Sequence, residues 1–473
     1  MSEHVGYIVE VKYLRKHNNA DRLQVATFFG NDTIVGLDTK EGDIGIYFPV
    51  DLQLSEEYCT QNDLVRRKDE NGNPAGGYLD PEKRNIKALK LRGEKSDGLF
   101  MPLTSLAYIT VDHPHTPINV SDKIDVFCGH EICKKYIPKH QNRQGAPTDG
   151  NRARKRKVPI APLFMEHADT EQLAYNLAAF RPGDQVEITL KMHGTSARTG
   201  YLPKYAGEKK TFWQKLFRKA GTPIYDWGYV TGTRRTVVND FDSTGGFYGD
   251  NKFREGPAKF FEGKLNKGET VYYEIVGFTT SGAPIMASQG NKQVDKLLGD
   301  KSFSKQYGET TVFSYGCTPE GVGHPQNDFY VYRMTMTNED GDVVEYTPDF
   351  MRYRCEQMGC KTVPVFWKGY IPDGNPDNNR IPDYAVDEES GEPYFTSITA
   401  GDYIKGIAEQ FYDGPCPVGK THVREGVVCR IVNRPKFCAY KHKNFAFKVL
   451  EGIIKETAAA PDMEEAEEEF VDG

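Results

Sequence analysis

A chain of 473 residues is long enough for two domains with insertions, each able to bury its own core. Its 67 acidic residues outnumber 60 basic ones, and a net charge of −7 argues against a generic, charge-driven polyanion binder and turns attention to local clusters. None of the nine cysteines forms a C-x-x-C pair, and Cys128/Cys133 and Cys355/Cys360 lack matching pairs that would complete zinc sites, so reduced thiols are expected.

No stretch is long enough to span a bilayer and no apolar signal region opens the chain. A soluble protein of the cytoplasm or nucleus, or a viral protein made there, is therefore expected, with no membrane contact.

In chain order, the first third carries short, glycine-punctuated segments of alternating character: Thr33–Leu37, Asp43–Val50, Ile86–Gly93 and Ser96–Leu103. Strands at this spacing predict a small barrel over residues 1–150. A basic run, Asn151–Lys157, marks the expected junction at 151–159. Another basic cluster lies within Lys204–Lys219. Either would make phosphate binding salt-sensitive, and either is also accounted for as a solvated loop.

The chemistry begins at Lys191-Met192-His193-Gly194-Thr195-Ser196. The preceding Val186–Leu190 alternates and is rich in β-branched residues, so Lys191 is expected to end a strand. Gly194 opens a turn, and Thr195 and Ser196 supply short hydroxyls. A lysine can attack phosphorus only when neutral, although its ordinary pKa is about 10.4, so such a site must lower it by desolvation and nearby positive charge. Taken alone, the hexapeptide also fits an ordinary solvated strand end.

Three downstream segments complete the pattern. Glu274, in Tyr273–Gly277, and Glu425, in Glu425–Arg430, are carboxylates in apolar strand contexts, where an unpaired acid is costly. One or two carboxylates together with phosphate oxygens suit Mg2+ or Mn2+, and Glu274 is alternatively an acceptor for ribose hydroxyls. Lys441 and Lys443, two apart, share one face of a strand and can converge on a phosphate, opposing its charge as it builds.

Between these segments, residues 201–228 form a basic, aromatic insertion, and 283–310 a polar one with helical character over Asn291–Leu298. Residues 369–400, rich in proline, aspartate and asparagine, read as an irregular loop or lid, and Tyr403–Phe411 as a short amphipathic helix. The acidic end, 456–473, reads as a disordered tail.

The four segments, in this order, resemble the active site of covalent nucleotidyltransferases, and more narrowly the RNA ligase branch, because of His193-Gly194 after the lysine. The segments around Asn19–Leu23 and Leu91–Leu99 resemble OB-type modules attached to tRNA synthetases. An OB module placed first resembles RNA ligase family 5. The resemblance implies an α+β fold: an N-terminal OB-type β-barrel, then over 160–455 an ATP-grasp-like ligase/capping-enzyme domain of antiparallel sheets with flanking helices, the nucleotide lying between sheets.

It further implies ATP and Mg2+ or Mn2+ as cofactors, Lys191 as nucleophile, and Lys441 and Lys443 on the phosphate. His193, Gly194, Glu274, Arg234 (or Arg235, in Thr231–Val237) and Tyr332 would bind nucleotide, with Tyr332 stacking on the base. Glu274 and Glu425 would serve the metal. RNA ends, a 5′-phosphate and a 3′-hydroxyl in a nick or break, are the implied partners of a monomer. One departure stands out: many RNA ligases carry glutamate just before the nucleophile, and this chain has Leu190. DNA ligases and capping-type transferases share the covalent chemistry, and an RNA- or tRNA-binding protein with a decayed transferase domain would share the fold.

Overall fold

The computed structural model describes residues 4–68, 74–113, 115–137, 159–168, 170–213, 221–238, 240–242, 251–386 and 393–456. The basic run 151–157, the expected junction apart from Pro159, and the acidic tail beyond Glu456 lie outside the described residues. The chain divides into two compact units. One comprises Met1–Gln141, Gln289–Thr311 and Phe445–Pro461; the other comprises Asn142–Ser288, Val312–Asn444 and Asp462–Gly473.

In the first unit the alternating segments do form strands. Ile44–Phe48 lies between Gly6–Glu10 and Leu99–Pro102 in a four-stranded antiparallel sheet that Lys123–Ile124 completes. Leu14–Lys16, Leu23–Phe28 and Asn31–Gly36 form a separate meander. The chain turns sharply between Glu94–Asp97 and Leu99–Pro102 at Gly98, whose φ is +133° and where a Cβ would lie 2.5 Å from the Tyr47 ring. Ile8, Ile46, Phe48, Leu54, Tyr58 and Ile132 pack into its core. The described strands fall into several sheets and do not close into a hydrogen-bonded barrel.

Three helices distant in sequence belong to this unit: Asn291–Leu298, as expected from its pattern, Ser302–Tyr307 and Phe445–Glu456. Lys448 on the last pairs with Asp97 at 2.5 Å, and Lys90 lies 3.6 Å from Asp300.

The second unit is built on two sheets. A five-stranded sheet runs Glu171–Gln172, Ala439–Lys443, Gly426–Ile431, Gln185–Lys191 and Val365–Tyr370. A six-stranded one runs Val237–Val238, Thr222–Gly232, Thr195–Lys209, Glu269–Gly277, Asn327–Thr337 and Val343–Glu345. All pairings in the two sheets are antiparallel except that of Glu171–Gln172 with Ala439–Lys443. Glu269–Gly277 is buried at every position, as befits a strand covered on both faces. Val186, Ile188, Val427, Cys429 and Ile431 pack with Ile404 and Ala408 of the helix Ala400–Glu409. The architecture is thus mixed α and β with mostly antiparallel sheets.

Two local expectations change. The helix expected from Tyr403 starts at Ala400, because the Thr399 hydroxyl accepts from Asp402 N and sets the N-terminus there. The stretch 369–400 is not irregular throughout: Arg380–Val386 and Pro393–Thr399 pair as an antiparallel hairpin. Pro393 opens its strand, a place where a missing N–H is tolerated, so proline content was a poor guide. The insertion 201–228 likewise extends the long hairpin arms Thr195–Lys209 and Thr222–Gly232. No helix among the described residues is long and apolar enough to cross a membrane.

Candidate active site

Register places the three lysines. Lys191 ends its strand opposite Gly426, and Gly426 on its other side faces Lys443. One row back, Thr189 faces Val428 and Val428 faces Lys441. Lys441 and Lys443 therefore share one face, with buried His442 between them in sequence stacked on Tyr412 at 4.8 Å. Gly426 holds φ +150°, and a Cβ there would lie 2.1 Å from His442 O.

Glu425 is the hub of this row. Its Oε1 lies 2.9 Å from Lys191 Nζ and 3.6 Å from Lys443 Nζ, and its Oε2 lies 3.3 Å from His193 Nδ1. The carboxylate is only 2% exposed. Burial alone would raise its pKa, but Lys191, His193 and Lys443 outweigh that and hold it at about 2. A buried acid is thus kept ionised by the groups around it, Lys191 above all.

The turn after Lys191 is pinned from both sides. His193 N donates to the Tyr315 hydroxyl at 2.7 Å, and Gly194 N donates to Glu274 Oε1 at 3.1 Å. Tyr315 adopts φ +50°, an unusual conformation for an aromatic residue, and burial pushes its hydroxyl pKa well above the ordinary range. Gly194 has no room for a side chain, since a Cβ would approach Ile275 O to 2.3 Å. The His193 ring packs edge-on against Phe313 at 4.6 Å, and Phe313 against buried His422 at 5.0 Å.

The six-stranded sheet supplies the facing wall. Glu274 stands between Ser196 and Tyr330 in register. The ladder then slips: Tyr272 pairs with Arg333 and Tyr273 with Val331, which leaves Tyr332 as the extra residue of a β-bulge. The bulge re-aims Tyr332, so that its hydroxyl meets Ser196 Oγ at 2.9 Å. Arg254, buried, donates to Thr195 Oγ1 at 2.9 Å.

Arg198 organises the loop that carries the candidate arginines. Its fully buried guanidinium donates to Thr233 O at 3.0 Å, Arg235 O at 3.1 Å and Phe164 O at 2.9 Å, and also to Met165 O. Arg234 is half-buried and Arg235 exposed.

Lys191, His193, Glu425 and Lys443 are therefore brought into direct contact, and Gly194 and Glu274 join them through one hydrogen bond. Tyr332 stands on the facing sheet, linked to the motif by Ser196. Tyr315, Arg254 and His422 were not singled out by sequence. They sit in unremarkable contexts, and only His422, three residues before Glu425, had proximity as a signal. Among the described residues no group of three or more His, Cys, Asp or Glu would hold a metal by protein ligands alone.

No protein-family model matches the chain, and no curated protein does. Among solved structures it is similar to Naegleria gruberi RNA ligase. A lysine-to-methionine mutant of that protein with AMP and Mn aligns with TM-score 0.53 and 14% identity, over 94% of this chain and 98% of that one. The same ligase with PPi aligns with TM-score 0.52 and 15% identity, over 95% and 98%. A lysine-to-alanine mutant with ATP and Mn gives TM-score 0.51 and 14% identity, over 94% and 98%. Over nearly its whole length, the chain has the fold of these RNA ligase structures.

Proposed function

We propose that this protein is an ATP-dependent RNA ligase working through a lysyl-adenylate. The observation that carries the reading is the row Lys191–Gly426–Lys443, which places a candidate nucleophile and a second cation within 3.6 Å of one oxygen of the buried Glu425 carboxylate. The likeness in fold to structures holding ATP, AMP and PPi supports it.

In the mechanism, the ion pair between Lys191 and Glu425 opens and the amine, once deprotonated, attacks the α-phosphate of ATP. The N–P bond forms as the bond to pyrophosphate breaks. Lys443 and Lys441 face the charge that builds on the phosphate oxygens. The adenylate then passes to a 5′-phosphate of RNA, and a 3′-hydroxyl displaces AMP to form the phosphodiester. Each step is an in-line displacement governed by positioning.

Glu425 and Glu274 would hold Mg2+ or Mn2+. With two carboxylates and, among the described residues, no cluster of three or more acids, imidazoles or thiols, the donor set fits a hard cation completed by phosphate oxygens and water. Bound there, the ion would supply charge neutralisation of the phosphates. Tyr332 is assigned to the base and Arg234 to ribose or the RNA 5′-phosphate; Arg234 faces inward more than exposed Arg235.

The N-terminal strands, residues 1–150, are assigned to an OB-type module that holds RNA, a nicked duplex included, ahead of a transferase domain over 160–455. Short antiparallel strands about an apolar core support that assignment. Nine free cysteines fit a reducing, intracellular setting, and a monomer is the proposed state.

The test is incubation with α-labelled ATP and a divalent metal, followed by denaturing gel and intact mass. An AMP adduct mapping to Lys191, absent from Lys191→Ala, is the expected result. An adduct that persists in Lys191→Ala removes the central assignment. No adduct with ATP or GTP over several metals would replace the reading with RNA binding on a silent transferase fold.

A further inference from the structure

His167 lies outside every motif noted above, yet it is held more firmly than a linker residue needs to be. The backbone just before it is fixed by Arg198, which bonds Phe164 O and Met165 O, and by the Tyr272 hydroxyl, 3.1 Å from Met165 O. The Tyr332 bulge then becomes important. By inserting one residue, it turns both Tyr332 and Arg333 toward the site, and both grip the imidazole.

The ring meets Tyr332 edge-on at 5.1 Å, Phe437 at 5.7 Å and Tyr272 at 5.6 Å. Its Nδ1 lies 3.2 Å from Arg333 Nη1. Arg333 is itself locked by Glu345, which takes two of its bonds at 3.0 Å.

This contact settles the tautomer. A guanidinium has no lone pair to offer, so Nδ1 must accept and the ring proton must sit on Nε2. Burial first, then Arg333, Arg234, Arg198 and Lys191, push the imidazole pKa well below its ordinary value, so the ring stays neutral. Its Nε2–H makes no hydrogen bond to any described residue. His167 is half-buried and its Nε2 is not sealed from solvent, so this donor can exchange water for an acceptor on a ligand.

The position before the nucleophile offers no substitute. Leu190 is 2% exposed and has no polar atom on its side chain. A polar side chain for a base stacked on Tyr332 therefore has to come from elsewhere, and His167 touches Tyr332 directly.

We infer that His167 is a specificity-determining residue whose Nε2–H donates to N1 of the purine stacked on Tyr332, selecting adenine over guanine. This rests on the nucleotidyltransferase reading. Adenine presents N1 as an acceptor where guanine carries N1–H. One fixed donor therefore pairs with the first and meets a second donor on the other. Arg333 and Glu345 act through His167 as positioning residues, keeping the proton on the outward nitrogen.

The test compares adduct formation by the full chain with α-labelled ATP and with α-labelled GTP, for wild type, His167→Leu and His167→Gln. Wild type is expected to favour ATP. His167→Leu is expected to lower kcat/KM for ATP by about 10–100-fold, mostly through KM, with little change for GTP, so that the ratio collapses. Glutamine keeps one acceptor and one donor and is expected to restore part of the preference.

If both variants label normally and keep the wild-type ratio, or lose ATP and GTP labelling equally, His167 is not a reader of the base. If His167→Leu binds ATP more tightly, the ring occludes the pocket and the inference is overturned. Should the leucine variant fail to fold, the glutamine ratio decides, because a packing role predicts no change in it. A wild type that forms no adduct at all brings down the transferase reading, which these other results leave standing.

Discussion

Lys191 and Lys443 stand in a single cross-strand row, separated only by Gly426. The glycine sets their spacing, because its backbone conformation and the 2.1 Å approach of a Cβ to His442 O leave no place for a side chain. Gly426→Ala is expected to displace the Ala439–Lys443 strand, at about 1–3 kcal/mol, and to reduce the AMP adduct although every motif residue is still present. Thermal unfolding alongside adduct labelling checks this. Unchanged melting with undiminished labelling would mean that the spacing of the row is immaterial.

Glu425 carries a pH signature. Its pKa falls from an ordinary 4.5 to about 2 on folding, because Lys191, His193 and Lys443 outweigh the cost of burial. A depressed carboxylate pKa contributes stability that is complete above pH 4.5 and is lost as pH falls toward 2. Glu425→Gln is expected to lose that contribution and to leave the cations facing one another, a cost of about 3 kcal/mol at neutral pH. Urea unfolding between pH 6 and pH 3 should show the stability gap between wild type and variant narrowing as the solution is acidified. A gap that is constant with pH would contradict the depressed pKa.

Lys443→Ala separates phosphate stabilisation from nucleophilic attack. Lys443 lies 3.6 Å from Glu425 Oε1 and shares its strand face with Lys441, so it stands beside the proposed nucleophile's partner with its charge on the lysine face of the strand. Both adenylation and transfer to RNA are expected to slow by about 10²–10³-fold, with Lys191 still labelled at long times. Single-turnover rates for the two steps are the measurement. Two unchanged rates would refute convergence of the paired lysines.

The sequence made the row legible and the clamps around it illegible. Period-two spacing was enough to put Lys441 and Lys443 on one face, and apolar flanks were enough to mark Glu425 as a buried acid needing partners. The helical character over Asn291–Leu298 was also visible in an otherwise polar segment, and the helix forms there. By contrast, the role of Tyr315 depends on a left-handed backbone and a hydroxyl that reaches 122 residues back to His193 N. The bulge at Tyr332 depends on one skipped partner in a ladder, which side-chain pattern does not record. Nor does local composition reveal that helix Phe445–Glu456 belongs to the same compact unit as the N-terminal strands. Long-range contacts of this kind leave no local trace.

Tyr332 offers two properties that substitution can separate. Its ring is the proposed platform for the base, and its hydroxyl meets Ser196 Oγ at 2.9 Å, in the strand that starts just after the nucleophile's turn. Tyr332→Phe keeps the ring and removes a hydrogen bond worth about 1 kcal/mol, so KM for ATP should rise by no more than about five-fold. Tyr332→Leu keeps apolar volume but loses the π-face, and base stacking of about 1–3 kcal/mol predicts a rise of 10-fold or more. The chemical step should change little in either, because neither atom lies on the Lys191–Gly426–Lys443 row. Saturation curves for adduct formation measure both. If the phenylalanine variant proved the worse of the two, the hydroxyl would be the working group, and Tyr332 would serve to position Ser196 while the base stacked elsewhere.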